Sequence, residues 1–227
     1  MKKRSKRYQA EAKKVEEGRS YSPEEAIALL KQLKTAKFDE TVELSCRLGV
    51  DPAKSEQAVR GTAVLPYGTG RKVKILALVD EKRAEEAKSA GADFIGLQDY
   101  IKKINEGWTD FDVAVTTPDY IKDVARLGKV LGPRGLMPSP KNGTVTTNVA
   151  QTIKELKAGR VEFRVDKGGN VHLPIGKVSF EPGALLENLK SALTTLSAAR
   201  PGSVKGQFLK KTCLSTTMGP SVQVSSE

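Results

Sequence analysis

The chain has 227 residues, enough for two domains of ordinary size, and no run of about 18 apolar residues that would cross a membrane. Hydrophobic residues make up 38% and charged residues 29%, with a net charge of +11, so compact cores under a surface that attracts an anionic partner are expected. The basic start, residues 1–7, runs into polar and charged residues rather than an apolar segment, which argues against a secretory leader and for a cytoplasmic protein.

The first clear element is a helix. Ser22 is its N-cap, Pro23 its first residue and Glu25 the far side of a capping box, and Ala26, Ile27, Leu29, Leu30 and Leu33 give it an apolar stripe to about Ala36. Over 41–50 the period changes to two. Val42, Leu44, Cys46, Leu48 and Val50 point one way, and Thr41, Glu43, Ser45 and Arg47 the other, which predicts a long strand with one buried and one polar face. Beyond Gly68-Thr69-Gly70 the run VKILALV over 73–79 is apolar on both faces and predicts a strand covered on both sides. A helix over 81–90, a strand over 94–97, a helix over 99–106, a strand over 111–116 and a helix opening at Pro118-Asp119 follow, and a helix over 149–157 ends at Gly159. That order argues for a small parallel α/β sheet. After Gly159 alternation returns over 161–165 and 171–175 around a Gly-rich turn at 167–170, a hairpin candidate. A helix over 183–198 and a strand over 205–217 close the pattern.

The fold class expected is therefore α/β plus α+β, in two domains. Residues 1–67 and 159–227 make a discontinuous α+β domain with an antiparallel sheet, and 68–158 an inserted Rossmann-like α/β domain. The two crossings, at Gly68, Gly70 and Gly159, suit a hinge. The insert carries 15 Lys+Arg against 12 Asp+Glu and the remainder 23 against 15, so the discontinuous domain is the better candidate for meeting phosphate.

Several chemistries fail on inspection. The first strand–helix turn of the insert reads Val79-Asp80-Glu81-Lys82, with no glycine and two carboxylates where a dinucleotide site needs close backbone approach to a pyrophosphate, so no cofactor is expected. Cys46 and Cys213 lie apart, outside any CxxC and inside alternating apolar patterns, which reads as buried reduced thiols. One histidine, His172, leaves acid–base catalysis and metal binding with little to work with. The stretch GKVLGPRGLMPSPKNG over 128–143 lacks phosphate-loop spacing. It admits two readings: a stiff surface loop, or a protrusion offering Lys129, Arg134 and Lys141 with an exposed Leu136-Met137 pair to an RNA backbone. With six Phe, five Tyr and one Trp, no single-strand stacking platform is expected. Rival classes are a nucleotide-using enzyme built on the insert, which a nucleotide would stabilise, and a nonspecific DNA-coating protein, whose affinity would ignore RNA fold.

Three segments are basic or polar where strands turn outward: 37–43, the Arg164 and Lys167 flanks of the hairpin turn, and 215–221. Hydroxyls and backbone donors with Arg and Lys suit the phosphates and 2′-hydroxyls of a structured RNA. These segments, with KFDETVEL, VRGTAVLPYGTG, AGADFIG, GWTDFDVAVTTPD, LGKVLGPRGLMPSPKNGTVT, AGRVEFRVDKGGNVHLPIGK and TTMGPS in order from Lys37 to Ser221, resemble the bacterial ribosomal protein L-one family over essentially the whole chain. The resemblance implies a ribosome-associated cytoplasmic protein, monomeric off the ribosome, with no membrane partner and no enzymatic role. It implies binding to the stalk junction of large-subunit rRNA near the tRNA exit site, assistance in releasing deacylated tRNA, and repression of translation of its own mRNA. The motif positions it marks for RNA are Lys37, Phe38, Thr41, Glu43, Arg164, Lys167, Thr217, Met218 and Gly219, with secondary contacts from Arg134 and Lys141. Phe38 and Met218 would pack on sugar and base surfaces, Thr217 and the Gly219 backbone would meet 2′-hydroxyls, Glu43 would order cationic neighbours or accept from a ribose hydroxyl, and Arg164 and Lys167 would hold phosphates. One departure from the family is Gly168-Gly169, expected to loosen the turn that carries Lys167.

Overall fold

A computed structural model describes residues 4–16 and 18–225, with the side chains of Ser55, Glu81, Lys82 and Lys141 outside the description. The basic residues Lys2 and Lys3 also lie outside it. The fold is mixed α/β and divides into two compact units, one formed by the chain up to Gly70 together with the chain from Gly159, the other by Arg71–Ala158.

The first unit is built on a four-stranded antiparallel sheet in the order β7-β1-β8-β9, from β1 (Thr41–Leu48), β7 (Asn170–Lys177), β8 (Leu209–Thr216) and β9 (Ser221–Val224). Val42, Leu44, Cys46 and Leu48 are buried, as alternation requires, and their neighbours are not. Helices α2 (Pro23–Gln32) and α8 (Pro182–Ala198) cover that inner face with Ile27, Leu30, Leu185, Leu189 and Leu196, side chains worth about 1.5–3 kcal/mol each when fully buried. The capping box of α2 forms in both directions, but the helix stops four residues short of the expected end, with Leu33 as its C-cap. Phe163 and Ala63 join the same core from a separate antiparallel pair, β2 (Arg60–Val64) with β6 (Arg160–Arg164).

That pair corrects the expected hairpin. The two segments flanking residues 166–169 are consecutive strands, yet β6 pairs with β2 and β7 pairs with β1. Alternation located both strands but carries no information about which distant strand each one meets. Residues Lys6–Ala12 form helix α1, capped by the Ser5 hydroxyl, and the following chain bridges β9 through Tyr21 and Val224.

The second unit is a three-stranded parallel sheet in the order β4-β3-β5, from β3 (Ile75–Leu78), β4 (Phe94–Ile95) and β5 (Val113–Thr116). All four residues of β3 are buried because helices lie on both faces. Ile75 and Ala77 meet α3 (Glu81–Ser89) and α7 (Val149–Ala158) through Ala87, Val149, Ile153 and Leu156. Leu76 and Leu78 meet Ile104 of α4 (Gln98–Asn105), Val124 of α5 (Ile121–Ala125) and Leu131 of α6 (Gly128–Leu131). The Gly- and Pro-rich stretch is thus partly helical, and Leu136 and Met137, expected exposed, pack half-buried against this second cluster. Among the described residues, no helix is long and apolar enough to cross a membrane.

Candidate nucleic-acid interface

The outward face of the four-stranded sheet carries Glu43 opposite Ser215, Ser45 opposite His172 and Cys213, and Arg47 opposite Asn170 and Lys211. At one end two loops converge, the one leading into β1 and the one leaving β8. A single carboxylate joins them. Glu40 is 0% exposed, and its Oε1 accepts from the Ala36 N–H (3.1 Å) while Oε2 accepts from the Met218 N–H (3.0 Å). Burial by itself would raise its pKa, but hydrogen bonds from the Met218 N–H, the Thr216 hydroxyl and the N–H groups of Ala36 and Thr35 outweigh that and hold it below the usual value. Thr41 and Thr217 add a reciprocal pair: the Thr41 N–H donates to Thr217 Oγ1 (3.0 Å) and the Thr217 N–H to the Thr41 carbonyl (3.1 Å). The Gly219 N–H donates to Thr216 Oγ1, and a Cβ at Gly219 would lie 2.4 Å from that oxygen, so only glycine closes this turn without a shift. Asp39 is held by the Ser179 N–H and hydroxyl, and Lys177 Nζ donates to Thr41 Oγ1.

The consequence is that Phe38 and Met218, at 51% and 46% exposure, stand out from two loops that are fixed to each other. The two loops thus hold both apolar side chains in water at fixed positions. Beside Met218 an open groove of about 540 Å³ is lined by Glu43, Ser221 and residues 215–219 on one side, and by Arg4, Ser5, Arg7 and Tyr8 of the N-terminal segment on the other. The Arg4 guanidinium lies 4.9 Å from the Tyr8 ring centre. The groove therefore brings Glu43, Thr217, Met218 and Gly219 together, with Thr41 hydrogen-bonded to Thr217 and Lys37 and Phe38 on the loop that Glu40 ties in. Sequence reasoning names those residues, gives the basic start that holds Arg4 and Arg7 little weight, and passes over Glu40 and Tyr8. Nothing in KFDET distinguishes the buried carboxylate from its exposed neighbours.

Arg164 and Lys167 lie elsewhere. They line a second groove of about 240 Å³ with Arg60, Asp166, Val165, Val59, Ala58 and Pro52. The Gly168-Gly169 turn is not loose. Asp166 Oδ1 accepts from the Gly168 N–H (2.8 Å) and the Asn170 N–H (2.7 Å), and the Leu48 N–H donates to the Gly169 carbonyl (2.8 Å). Gly169 has φ of 78°, so a residue that adopts the left-handed region freely completes the turn. Hydrogen bonds from the Asn170 backbone and side chain lead the forces that lower the Asp166 pKa.

His172 is exposed on β7, with Nδ1 3.0 Å from Ser45 Oγ and Nε2 3.8 Å from Asp166 Oδ2. Serine, histidine and aspartate thus follow one another, but the last distance is too long for a hydrogen bond and the row is open to water, so it lacks what nucleophilic catalysis needs. Cys46 is buried and free, and burial pushes its thiol pKa up to about 11, against the thiolate. Cys213 departs from expectation: it is free but only half-buried, because it belongs to the outward set of β8. Among the described residues no group of three or more His, Cys, Asp and Glu could hold a metal. In the second unit Arg134 is exposed and hydrogen-bonds Thr109, and Lys141 sits in a short 3-10 turn with its side chain outside the description.

The crossing glycines are tightly placed. Gly68, Gly70 and Gly159 have φ of 65°, 71° and 112°. A Cβ on Gly159 would lie 2.3 Å from Gly68 Cα. Asn188, fully buried in α8, accepts from the Tyr67 N–H (3.0 Å) and donates to the carbonyls of Gly68 (3.0 Å) and Ile175 (2.8 Å), so the chain is clamped just before it leaves the first unit.

Residues 30–220 match the Ribosomal protein L1p/L10e family. The chain belongs to that family. A relative from Kosmotoga olearia, the large ribosomal subunit protein uL1, is 54% identical over 224 residues, which cover 99% of this chain and 97% of the relative. Such membership sets the chain among ribosomal proteins rather than enzymes.

Proposed function

We propose that the chain is a constituent of the large ribosomal subunit that binds the stalk junction of its rRNA through the first unit, the discontinuous domain. The observation that carries the reading is the pair of loops joined by Glu40, which hold Phe38 and Met218 out of the core beside a groove of hydroxyls, backbone donors and Glu43. Shallow minor grooves of folded RNA offer 2′-hydroxyls and sugar faces to such a surface. Met218 and Phe38 pack on sugar and base faces, Thr217 and the Gly219 backbone meet 2′-hydroxyls, Lys37 holds phosphate, and Glu43 accepts from a ribose hydroxyl. The relative's name, a large ribosomal subunit protein, supports the same assignment. The inserted α/β domain adds weaker contacts through Arg134 and Lys141. The glycine crossings serve as the hinge of a mobile stalk that accompanies deacylated tRNA out of the ribosome, and an mRNA leader that imitates the junction would bring the chain's own translation under control.

Binding to the stalk junction, compared with an unstructured RNA of the same length across a salt series, tests this. A preference for the junction that persists as salt rises is expected. Equal binding that collapses with salt would leave only a basic protein. Competition between the junction and the chain's own mRNA leader tests the regulatory part, which predicts mutual displacement. Deacylated tRNA release from ribosomes carrying Gly159→Val in place of the unaltered chain tests the hinge, with slower release expected.

A further inference from the structure

We propose that Arg60 joins Arg164, a position the family resemblance already marks for phosphate, in a two-arginine fork for one RNA backbone phosphate, apart from the groove beside Met218; this rests on the RNA-binding reading above. In the β2–β6 pair Arg60 lies directly opposite Arg164, so both guanidinium groups leave the same face of the sheet. The next pair inward, Gly61 with Phe163, explains why they are held there. Phe163 is buried, and a Cβ on Gly61 would lie 2.9 Å from its ring, so the glycine lets the ring lie across the strand and seat this end of the ladder. The Val165 N–H closes it with a bond to the Val59 carbonyl (2.9 Å).

Like charges directly opposite one another on a sheet are unfavourable. Among the described residues no ion pair relieves them, although Glu162 lies two residues along β6 on the same face. Asp166 shares the groove, but its Oδ1 is occupied by the turn's own N–H groups. Lys167 adds a third cation to the lining, and no aromatic side chain contributes to it. Such a groove holds backbone rather than a stacked base. Paired guanidiniums match phosphate oxygens with charge-assisted, bidentate hydrogen bonds, and an anion between them turns the repulsion into attraction. Arg60 is the residue that sequence reasoning missed, because it precedes a glycine in a strand of only five residues.

The experiment measures affinity for the stalk junction and for an unstructured RNA at several salt concentrations, with Arg60→Ala, Met218→Ala and the unaltered chain, and thermal unfolding with and without inorganic phosphate. Arg60→Ala is expected to weaken both RNAs by a common factor of about ten and to lower the salt slope by about one. Met218→Ala should weaken the junction alone. Inorganic phosphate should raise the melting temperature of the unaltered chain and not of Arg60→Ala, which should otherwise melt no lower than the parent. Unchanged affinity and salt slope in Arg60→Ala, alongside a weakened Met218→Ala, would overturn the fork and leave the RNA reading standing. A lowered melting temperature with no change in salt slope would make Arg60 structural and overturn the fork too. Absence of junction preference in the unaltered chain would bring down the RNA reading, and the fork with it.

Discussion

Two sheets in one chain illustrate two uses of a strand. In the second unit β3 is buried at every position, because its alternate residues feed two apolar clusters under helices on opposite faces. In the first unit β1 is buried only at alternate positions, with α2 and α8 packed on its inner face and α1 bordering only the β8–β9 side of the outer one. The outer face is left to Glu43, Ser45 and Arg47 and their cross-strand partners. A sheet packed on both sides has no surface to offer. A sheet packed on one side has a flat polar face whose rows sit at fixed spacing, and that is where the candidate RNA residues of β1 lie.

The widest contrast is available by mutation. Leu76→Ala in β3 and Leu44→Ala in β1 both remove a fully buried side chain and should each cost about 2–5 kcal/mol in urea denaturation. Glu43→Ala, one residue from Leu44 but outward, should stay within about 0.5 kcal/mol and lower junction affinity instead. A comparable loss of folding stability from Glu43→Ala would mean that the outer face is structural, and the comparison would fail.

Glu40 sharpens the contrast, because it is a buried charge in the service of the exposed face. Glu40→Gln replaces one of two accepting oxygens with a donor that confronts an N–H, of Met218 or of Ala36. A cost of about 1.5–3 kcal/mol is expected, with weaker junction binding because the two loops lose their tie. The folded pKa lies below the ordinary glutamate value of 4.5, so this stabilisation is complete above that value and is lost as pH falls through the folded pKa. Urea midpoints from pH 7 to pH 3 should fall less steeply for Glu40→Gln than for the parent, and equal slopes would remove Glu40 from the account.

How much of this was legible depends on whether the signal is local. The alternation of Thr41–Leu48 and the unbroken apolar run at Ile75–Leu78 each announce how many faces are covered, and the capping box marks the start of α2 to the residue. Partner choice is not local: β6 and β7 follow one another across a tight turn, yet β6 pairs with Arg60–Val64 and β7 with Thr41–Leu48, both far back in the chain. Strand β2 hid behind Gly61, which weakens a strand pattern because its own role is to make room for Phe163. β9 is only four residues long. The sites divide in the same way. Motif positions pointed to Met218 and Thr217, while Glu40 and Arg60 acquire their meaning from groups distant in sequence, Met218 and Arg164.

The crossings make a third test. Gly159→Ala places a methyl against Gly68 at a φ of 112°, so about 1–3 kcal/mol of strain is expected. Gly18→Ala, also at positive φ but with nothing within 4 Å, separates backbone strain from steric contact. If thermal unfolding shows equal losses for the two, the close approach of Gly159 to Gly68 contributes nothing.

The smallest effect concerns Met218. Its side chain is 46% exposed and its backbone N–H, not its side chain, is what Glu40 holds. Met218→Ala should therefore leave folding within about 0.5 kcal/mol of the parent and reduce junction affinity about tenfold, equivalent to about 1.4 kcal/mol. Met218→Leu restores apolar area without the flexible thioether. Recovery in Met218→Leu would mean that buried area alone accounts for the contact. Continued weakness would mean that the unbranched chain is needed to follow an irregular sugar and base surface. Unchanged affinity in both variants would show that exposure at this position does not serve RNA, and the outer face of the sheet would have to bind through its hydroxyls and charges alone.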